Sequence, residues 1–254
     1  MSYQDPLVSI IMNCYNSDKF LKEAIDSVYA QSYQNWEIIF WDNNSSDNSA
    51  KIAQSFDSRL KYFKAVDTTP LYEARNLALE RCNGDYVGFI DCDDIWVKSK
   101  LDKQINYALK GFDFIYGGYD LIDTDGRKTS EELKHLVSGN ITNTLFRRNP
   151  ISIGSVLIKR SLFKKNQFDP IYELLGDYDM WVRLSMKHHI KVISEIVEHS
   201  RQHENNFSIT LNNRWLIERR YFYKKHCSFS NFFKYPWLIY YIIRTEILGM
   251  MGRR

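Results

Sequence analysis

Apolar positions along this chain change period again and again. Leu7-Val8-Ser9-Ile10-Ile11-Met12 is almost unbroken and β-branched, the pattern of a strand buried on both faces. Behind Asn13-Cys14-Tyr15-Asn16 the period becomes helical, with Phe20, Leu21, Ala24, Ile25 and Val28 on one stripe and Asn16 or Ser17 as its cap. A strand over 36–41 ends at Asp42, and the turn Asn43-Asn44-Ser45-Ser46 leads into a helix from Asp47 to about Phe56. A short strand over 60–63, a helix over 72–81 and a buried strand over 86–90 follow. Strand and helix in alternation predict an α/β fold: a mostly parallel sheet with helices on both faces and right-handed crossovers. Asn13, Asp42 and Asp91 then all stand at carboxyl ends of parallel strands, where open sheets of this kind bind ligands.

The strand over 86–90 runs into Asp91-Cys92-Asp93-Asp94. Carboxylates cannot sit unpaired in a core, so the chain opens here into solvent, a ligand or a metal. Two acids one residue apart can hold a hard divalent cation, and the cation can hold phosphates. A helix-loop-helix calcium site is excluded, because Trp96 and Asp102 stand where its Gly and Glu belong. An aspartyl-phosphate phosphatase fits poorly, since Ile95 holds its Thr or Val position and much chain precedes it. A solvated turn capping the next helix stays open.

Further on, the pattern predicts a helix over 99–109, a strand over 112–116, and a polar stretch from Asp123-Thr124-Asp125-Gly126 to about Gly139 that reads as a lid or a connector. A strand over 153–158 carries Gly154-Ser155, where a sugar can approach the backbone closely. Asp177, Met180, Trp181 and Leu184 share one helical face, so an acid sits at the first turn of an inward-facing helix; Asp179 and Arg183 pair on another face. Asp177 there is a general base or an acid favoured by the helix dipole.

Composition narrows the class. With 254 residues and 44% hydrophobic content, one large α/β core is expected. A net charge of +3 implies no field for nucleic acid. Cys14, Cys82, Cys92 and Cys227 include no Cys-x-x-Cys pair, which fits a reducing compartment without structural zinc. The first residues lack a basic segment followed by an apolar one, no apolar run reaches membrane-spanning length, and no phosphate-loop motif is present. A cytoplasmic protein is expected.

Six motifs now carry a resemblance. Val8-Ser9-Ile10-Ile11-Met12-Asn13-Cys14-Tyr15-Asn16 resembles the opening strand of family-two glycosyltransferases of the GT-A fold. Asp42-Asn43-Asn44-Ser45-Ser46-Asp47 is similar to their D-D-G-S-T-D, Ala74-Arg75-Asn76 to their A-R-N, and Phe89 to Asp94 to their F-L-D-A-D-D. Gly176-Asp177-Tyr178-Asp179-Met180-Trp181 resembles E-D-Y-D-L-W, and Arg201-Gln202-His203 a late R-x-H; the agreement runs over 6–208. Three departures stand out: Asn13 for a usual Pro, Asn43-Asn44 for Asp-Gly, and Gly176 for an acid.

The resemblance implies inverting transfer of a sugar from a nucleotide-diphosphate donor, most often a uridine one, to a hydroxyl of a glycan or lipid-linked acceptor. Asn13, Tyr15, Asn16, Asp42, Arg75 and Asp91 would bind the donor, with Asp42 at the uracil or ribose, Arg75 at the base or diphosphate and Asp91 at the ribose. Asp93 would ligate Mn²⁺ or Mg²⁺, joined by His203 unless that is only a loop histidine, and Asp177 would be the base. Asp94 is expected to cap the following helix rather than to orient a metal-bound water. Two alternatives differ in class: metal-dependent phosphoryl transfer by Asp91 and Asp93, and a sugar-nucleotide-binding protein without turnover, to which Gly176 points. The expected organisation is a catalytic domain over 1–210 and a helical, aromatic-rich extension over 211–254. Within it, 232–250 is rich in Trp and Tyr and flanked by Lys224, Lys225, Lys234, Arg244, Arg253 and Arg254, so it is expected to lie on a membrane surface; a helix docked on the domain or a dimer contact is the alternative.

Overall fold

A computed structural model describes residues 5–133, 136–204, 206, 214–227, 235, 239–241, 243 and 244. The strands are β1 (Val8–Cys14), β2 (Trp36–Asp42), β3 (Leu60–Lys64), β4 (Tyr86–Phe89), β5 (Ile95–Trp96), β6 (Phe114–Ile122), β7 (Lys128–Glu132), β8 (Val156–Lys159) and β9 (Lys191–Arg201). The helices are α1 (Asp18–Tyr29), α2 (Ser49–Ala53), α3 (Leu71–Leu79), α4 (Lys100–Ala108), α5 (Thr142–Arg147), α6 (Gly176–Ser185) and α7 (Arg214–His226).

All nine strands form one sheet in the order β3-β2-β1-β4-β8-β6-β9-β5, with β7 paired to β6. β3, β2, β1 and β4 are parallel, as the alternating pattern predicts; β8 enters antiparallel between β4 and β6. Side chains alternate across the pleat. Ile10 and Met12 face the cluster of Leu21, Ile25, Leu101 and Ile105 from α1 and α4, whereas Ile11 faces that of Ala74, Ala78, Trp181 and Leu184 from α3 and α6. Register sets Cys14 beside Asp42 and Ile11 beside Phe89. Ile90 still donates to the Ile11 carbonyl at 3.0 Å, so the chain ends beyond β1, β2 and β4 lie together.

Several expected elements are reshaped. The polar stretch after Gly126 is not a structureless lid: β7 folds it back on β6. The strand expected over 153–158 begins only at Val156, after a 3-10 turn at Ile153–Ser155. The helix from Asp47 is confined to Ser49–Ala53, and Asp47 instead accepts the amides of Ser49 and Asp18 at 2.9 and 3.0 Å.

Helix α7 is built into the core. Phe222 is fully buried and stacks on Tyr178 at 4.6 Å, and His226 and Lys225 each reach the buried Asp179 carboxylate at 2.9 Å. Burial alone would push the Asp179 carboxyl up, but the His226 hydrogen bond, the Arg183 charge at 2.8 Å and Lys225 together hold it well below the usual carboxylate range. Most of 232–250 lies outside the described residues. Within it, Tyr235 is buried against Phe146 at 5.0 Å and Tyr241 stacks on Tyr223 at 5.3 Å, while Ile239, Tyr240 and Ile243 are exposed. Among the described residues, no helix is long and apolar enough to cross a membrane.

Candidate active site

The ends of β1, β2 and β4 and the start of α6 frame a cleft of about 1050 Å³, large enough for a nucleotide and a sugar. Asn13, Tyr15, Asn16, Arg75, Asp91, Asp93, Asp177 and His203 all line it. These eight come from positions spread over much of the chain, and the topology alone collects them.

The floor is Asn13. Both polar atoms of its amide are out of reach of water and have no hydrogen-bond partner in the protein. Buried amides without partners are rare, so this one points to a ligand. Asn16 stands beside it in the left-handed region, with φ of 48°, and its Oδ1 accepts the Ser46 amide at 2.8 Å. Tyr15 is at the rim, 55% exposed.

Asp42 does not line the cleft. It is fully buried beneath the wall, where it accepts the Ser45 amide at 2.7 Å and the Tyr62 hydroxyl. Its neighbour Asn43 lines the cleft instead, and its side-chain amide brackets Thr69, donating to the carbonyl at 2.8 Å and accepting the amide at 3.1 Å. That bracket pins the loop over 68–70, which forms one wall. Asn44 adopts φ of 67°, which Asn tolerates better than most residues, so the turn forms without the usual Gly.

Arg75 projects from α3 and is buried, and its Nη2 donates to Asp91 Oδ1 at 3.1 Å. Burial works against its charge, but Asp91, Tyr72 and Asp177 more than compensate and raise its pKa. Asp91 is the more open partner, its side chain 43% exposed toward the cleft. Asp93 Oδ2 lies 3.0 Å from His203 Nε2 and accepts the Asn206 amide, also at 3.0 Å. Burial, and then Asp91, push the Asp93 carboxyl up, with His203 opposing. Among the described residues, no three His, Cys, Asp or Glu side chains gather closely enough to hold a metal by themselves.

Asp94 does not cap a helix, because β5 intervenes before α4. It is buried and accepts the Arg201 amide at 2.8 Å. Burial and then Glu198 raise its pKa well above the usual range. Arg201 is buried too: it donates to the Asp93 carbonyl at 2.9 Å and to Glu23 at 2.6 Å, and lies over Phe20. The end of β9 thereby fixes the Asp-Cys-Asp-Asp turn from behind. Gly154 lies against the Glu198 carboxylate rather than offering its face to a sugar; a Cβ there would meet Glu198 Oε1.

Asp177 begins the first turn of α6, as its helical spacing predicts, and Met180, Trp181 and Leu184 beside it are fully buried. Its Oδ1 accepts the Tyr178 amide at 2.7 Å and lies 3.2 Å from the Tyr72 hydroxyl. Burial raises its pKa, and the Arg75 charge opposes that. Sequence reasoning missed Tyr72 and Asn206, and it missed Trp215 of α7, which lines the cleft beside Glu173 and Leu174.

The family model described as "Glycosyl transferase family 2" matches residues 9–167. The chain belongs to this family. The family-2 sequence is 34% identical over 193 residues to the Escherichia coli UDP-Glc:alpha-D-GlcNAc-diphosphoundecaprenol beta-1,3-glucosyltransferase WfgD, covering 75% of this chain and 74% of that protein. It is 37% identical over 130 residues to the Bacillus subtilis putative teichuronic acid biosynthesis glycosyltransferase TuaG, covering 50% of this chain and 52% of that one. Among solved structures, S. aureus TarS 1-349 in complex with UDP matches with a TM-score of 0.65 at 18% identity, over 85% of this chain and 64% of that one. The likeness is one of fold, and the fold is GT-A. The chain is a family-2 glycosyltransferase.

Proposed function

We propose that this glycosyltransferase transfers a sugar, with inversion, from a uridine-diphosphate donor to a hydroxyl of a lipid-linked acceptor, with Asp177 as the base. The observation that carries this reading is the convergence on Arg75: Asp91 pairs with it at 3.1 Å, and it lies over the ring of Tyr72, whose hydroxyl is 3.2 Å from Asp177. A donor seated over Asn13 and Asp91 thus presents its anomeric carbon toward Asp177. The printed name of WfgD, a UDP-glucose-dependent enzyme acting on a diphosphoundecaprenol-linked sugar, supports the donor and acceptor classes.

Asp177 accepts the proton of the acceptor hydroxyl, whose oxygen bonds to the anomeric carbon while the bond from that carbon to the diphosphate oxygen breaks. The transition state has oxocarbenium character. Arg75, permanently charged and held in place, offsets the charge that builds on the diphosphate. Asp93 and His203 would be the protein's share of a Mn²⁺ or Mg²⁺ site, since a carboxylate and an imidazole 3.0 Å apart offer donors that such an ion accepts. When bound, such an ion acts as a Lewis acid on the departing diphosphate. The exposed apolar residues near the C-terminus are taken to rest on the membrane that carries the acceptor.

Asp177→Asn tests the reading. Donor affinity by calorimetry stays near wild type while turnover falls ~10²–10⁴-fold, the usual contribution of a positioned base. Because burial raises the Asp177 pKa, the acid limb of turnover against pH lies above the ordinary carboxylate range. The same shift has a stability sign. The folded state holds this proton longer than the unfolded one, so it loses stability as pH rises from the ordinary value through the raised one. Asn carries no such charge, so the variant melts higher than wild type near neutral pH and the gap closes in acid. Near-normal turnover would overturn the assignment.

A further inference from the structure

Helix α7 carries one acid among its inward residues. Trp215, Phe222 and His226 recur at helical spacing, and Glu218 sits in the same stripe, 4% exposed. A carboxylate in that position requires partners. Its Oε1 accepts the Glu173 amide at 2.8 Å, and its Oε2 accepts those of Leu174 and Leu175 at 3.0 and 2.9 Å. Three successive backbone amides therefore end on one side chain from a distant part of the chain. They are the last three before α6, so the segment they anchor leads directly into Asp177. The other side of this segment is tied as well, because the Tyr72 hydroxyl lies 3.1 Å from the Leu174 carbonyl and 3.2 Å from Asp177 Oδ1. Glu218 itself is not among the residues that line the cleft.

We infer that Glu218 is a positioning residue for Asp177, which makes the C-terminal helix part of the catalytic apparatus. This rests on Asp177 acting as the base. Charged acceptors hold amide donors more firmly than neutral ones, and one carboxylate replaces three separate acceptors that the loop cannot supply itself. Reactions that depend on alignment lose about a hundredfold for a displacement of about 1 Å. Loosening 173–175 therefore acts on turnover while the donor side at the ends of β1 and β4 is left alone.

The test uses the full chain with UDP-glucose as donor probe and an alkyl-linked α-GlcNAc diphosphate as acceptor probe. Glu218→Gln keeps length and shape but offers one carbonyl oxygen in place of two charged ones; Glu218→Ala offers none. The Gln variant is expected to lose about ten- to a hundredfold in kcat with the UDP Kd within twofold of wild type, and the Ala variant to lose more. Amide exchange in the peptide over 170–178 should quicken in both, while that of β1 and β4 is unchanged. Unchanged exchange over 170–178 overturns the inference whatever the activity, and so does faster exchange with unaltered kcat. Failure of the wild type to bind UDP, or full turnover by Asp177→Asn, speaks instead against the proposed function. If Glu218→Ala does not fold, Glu218→Gln alone decides.

Discussion

Gly176 illustrates how much one missing side chain can mislead. It stands where the family usually has an acid, so by sequence alone it hints at lost catalysis. In the fold a Cβ at this position would come within 2.5 Å of the Tyr72 ring, so glycine makes room for the tyrosine whose hydroxyl meets Asp177. The departure has a packing cause, and the one feature favouring a protein without turnover loses its force. Asp93 is the opposite case, because His203 and Asn206 already converge on a single oxygen, and an amide there would weaken any cation bound between Asp93 and a diphosphate. Asp93→Asn is expected to abolish the Mn²⁺-dependent part of UDP binding in calorimetry without altering the melting temperature in metal-free buffer by more than a few degrees; unchanged metal dependence would remove Asp93 from the site. Residues of this kind were legible because an acid that ends a buried strand must meet water, a cation or a donor. Asp42 and Asp94 were not, since what buries them comes from far along the chain: the Tyr62 hydroxyl for one, the Arg201 amide for the other.

At the scale of elements, the parallel strands and the helices between them follow from hydrophobic period alone, whereas the antiparallel insertion of β8 and the hairpin of β6 and β7 leave no local mark in the pattern. Helix α7 was legible only as part of a helical, aromatic-rich extension, without its place in the core. The signal for more was an acid, Glu218, within an apolar stripe, an arrangement that costs free energy unless donors meet it. Its first turn also presents Trp215 to the cleft on the Asp177 side, away from the donor floor at Asn13. An aromatic face suits the apolar C–H face of a sugar ring, and this position is where an acceptor must enter if Asp177 is to reach its hydroxyl. Trp215→Ala is therefore expected to raise the acceptor KM about tenfold, about 1.4 kcal/mol, with the donor KM unchanged. An equal rise in both would assign Trp215 to folding of the wall rather than to the acceptor.

For the molecule as a whole, the proposed function divides the labour across the sheet: the ends of β1 and β4 would hold the donor, while α6, with α7 beside it, would supply the base and receive the acceptor. An acceptor on a lipid would reach that second half from a membrane, and the C-terminal residues lie there. Among the described residues there, Tyr235 packs on Phe146 and Tyr241 on Tyr223 of α7, while Ile239, Tyr240 and Ile243 are exposed, with Arg244 next in the chain. Apolar and aromatic side chains next to cations suit the interface of an anionic bilayer, and a patch this small gives reversible contact rather than insertion. The combined change Ile239→Ser, Tyr240→Ser and Ile243→Ser is expected to cut flotation with phosphatidylglycerol vesicles severalfold and to raise KM for a long-chain lipid acceptor. It should leave the melting temperature and turnover on a short-chain acceptor as they are, because none of the three is buried. If flotation persists, the contact is made elsewhere; if the protein instead loses stability, these residues are packed against another surface, with a second copy of the chain the first to test by sedimentation.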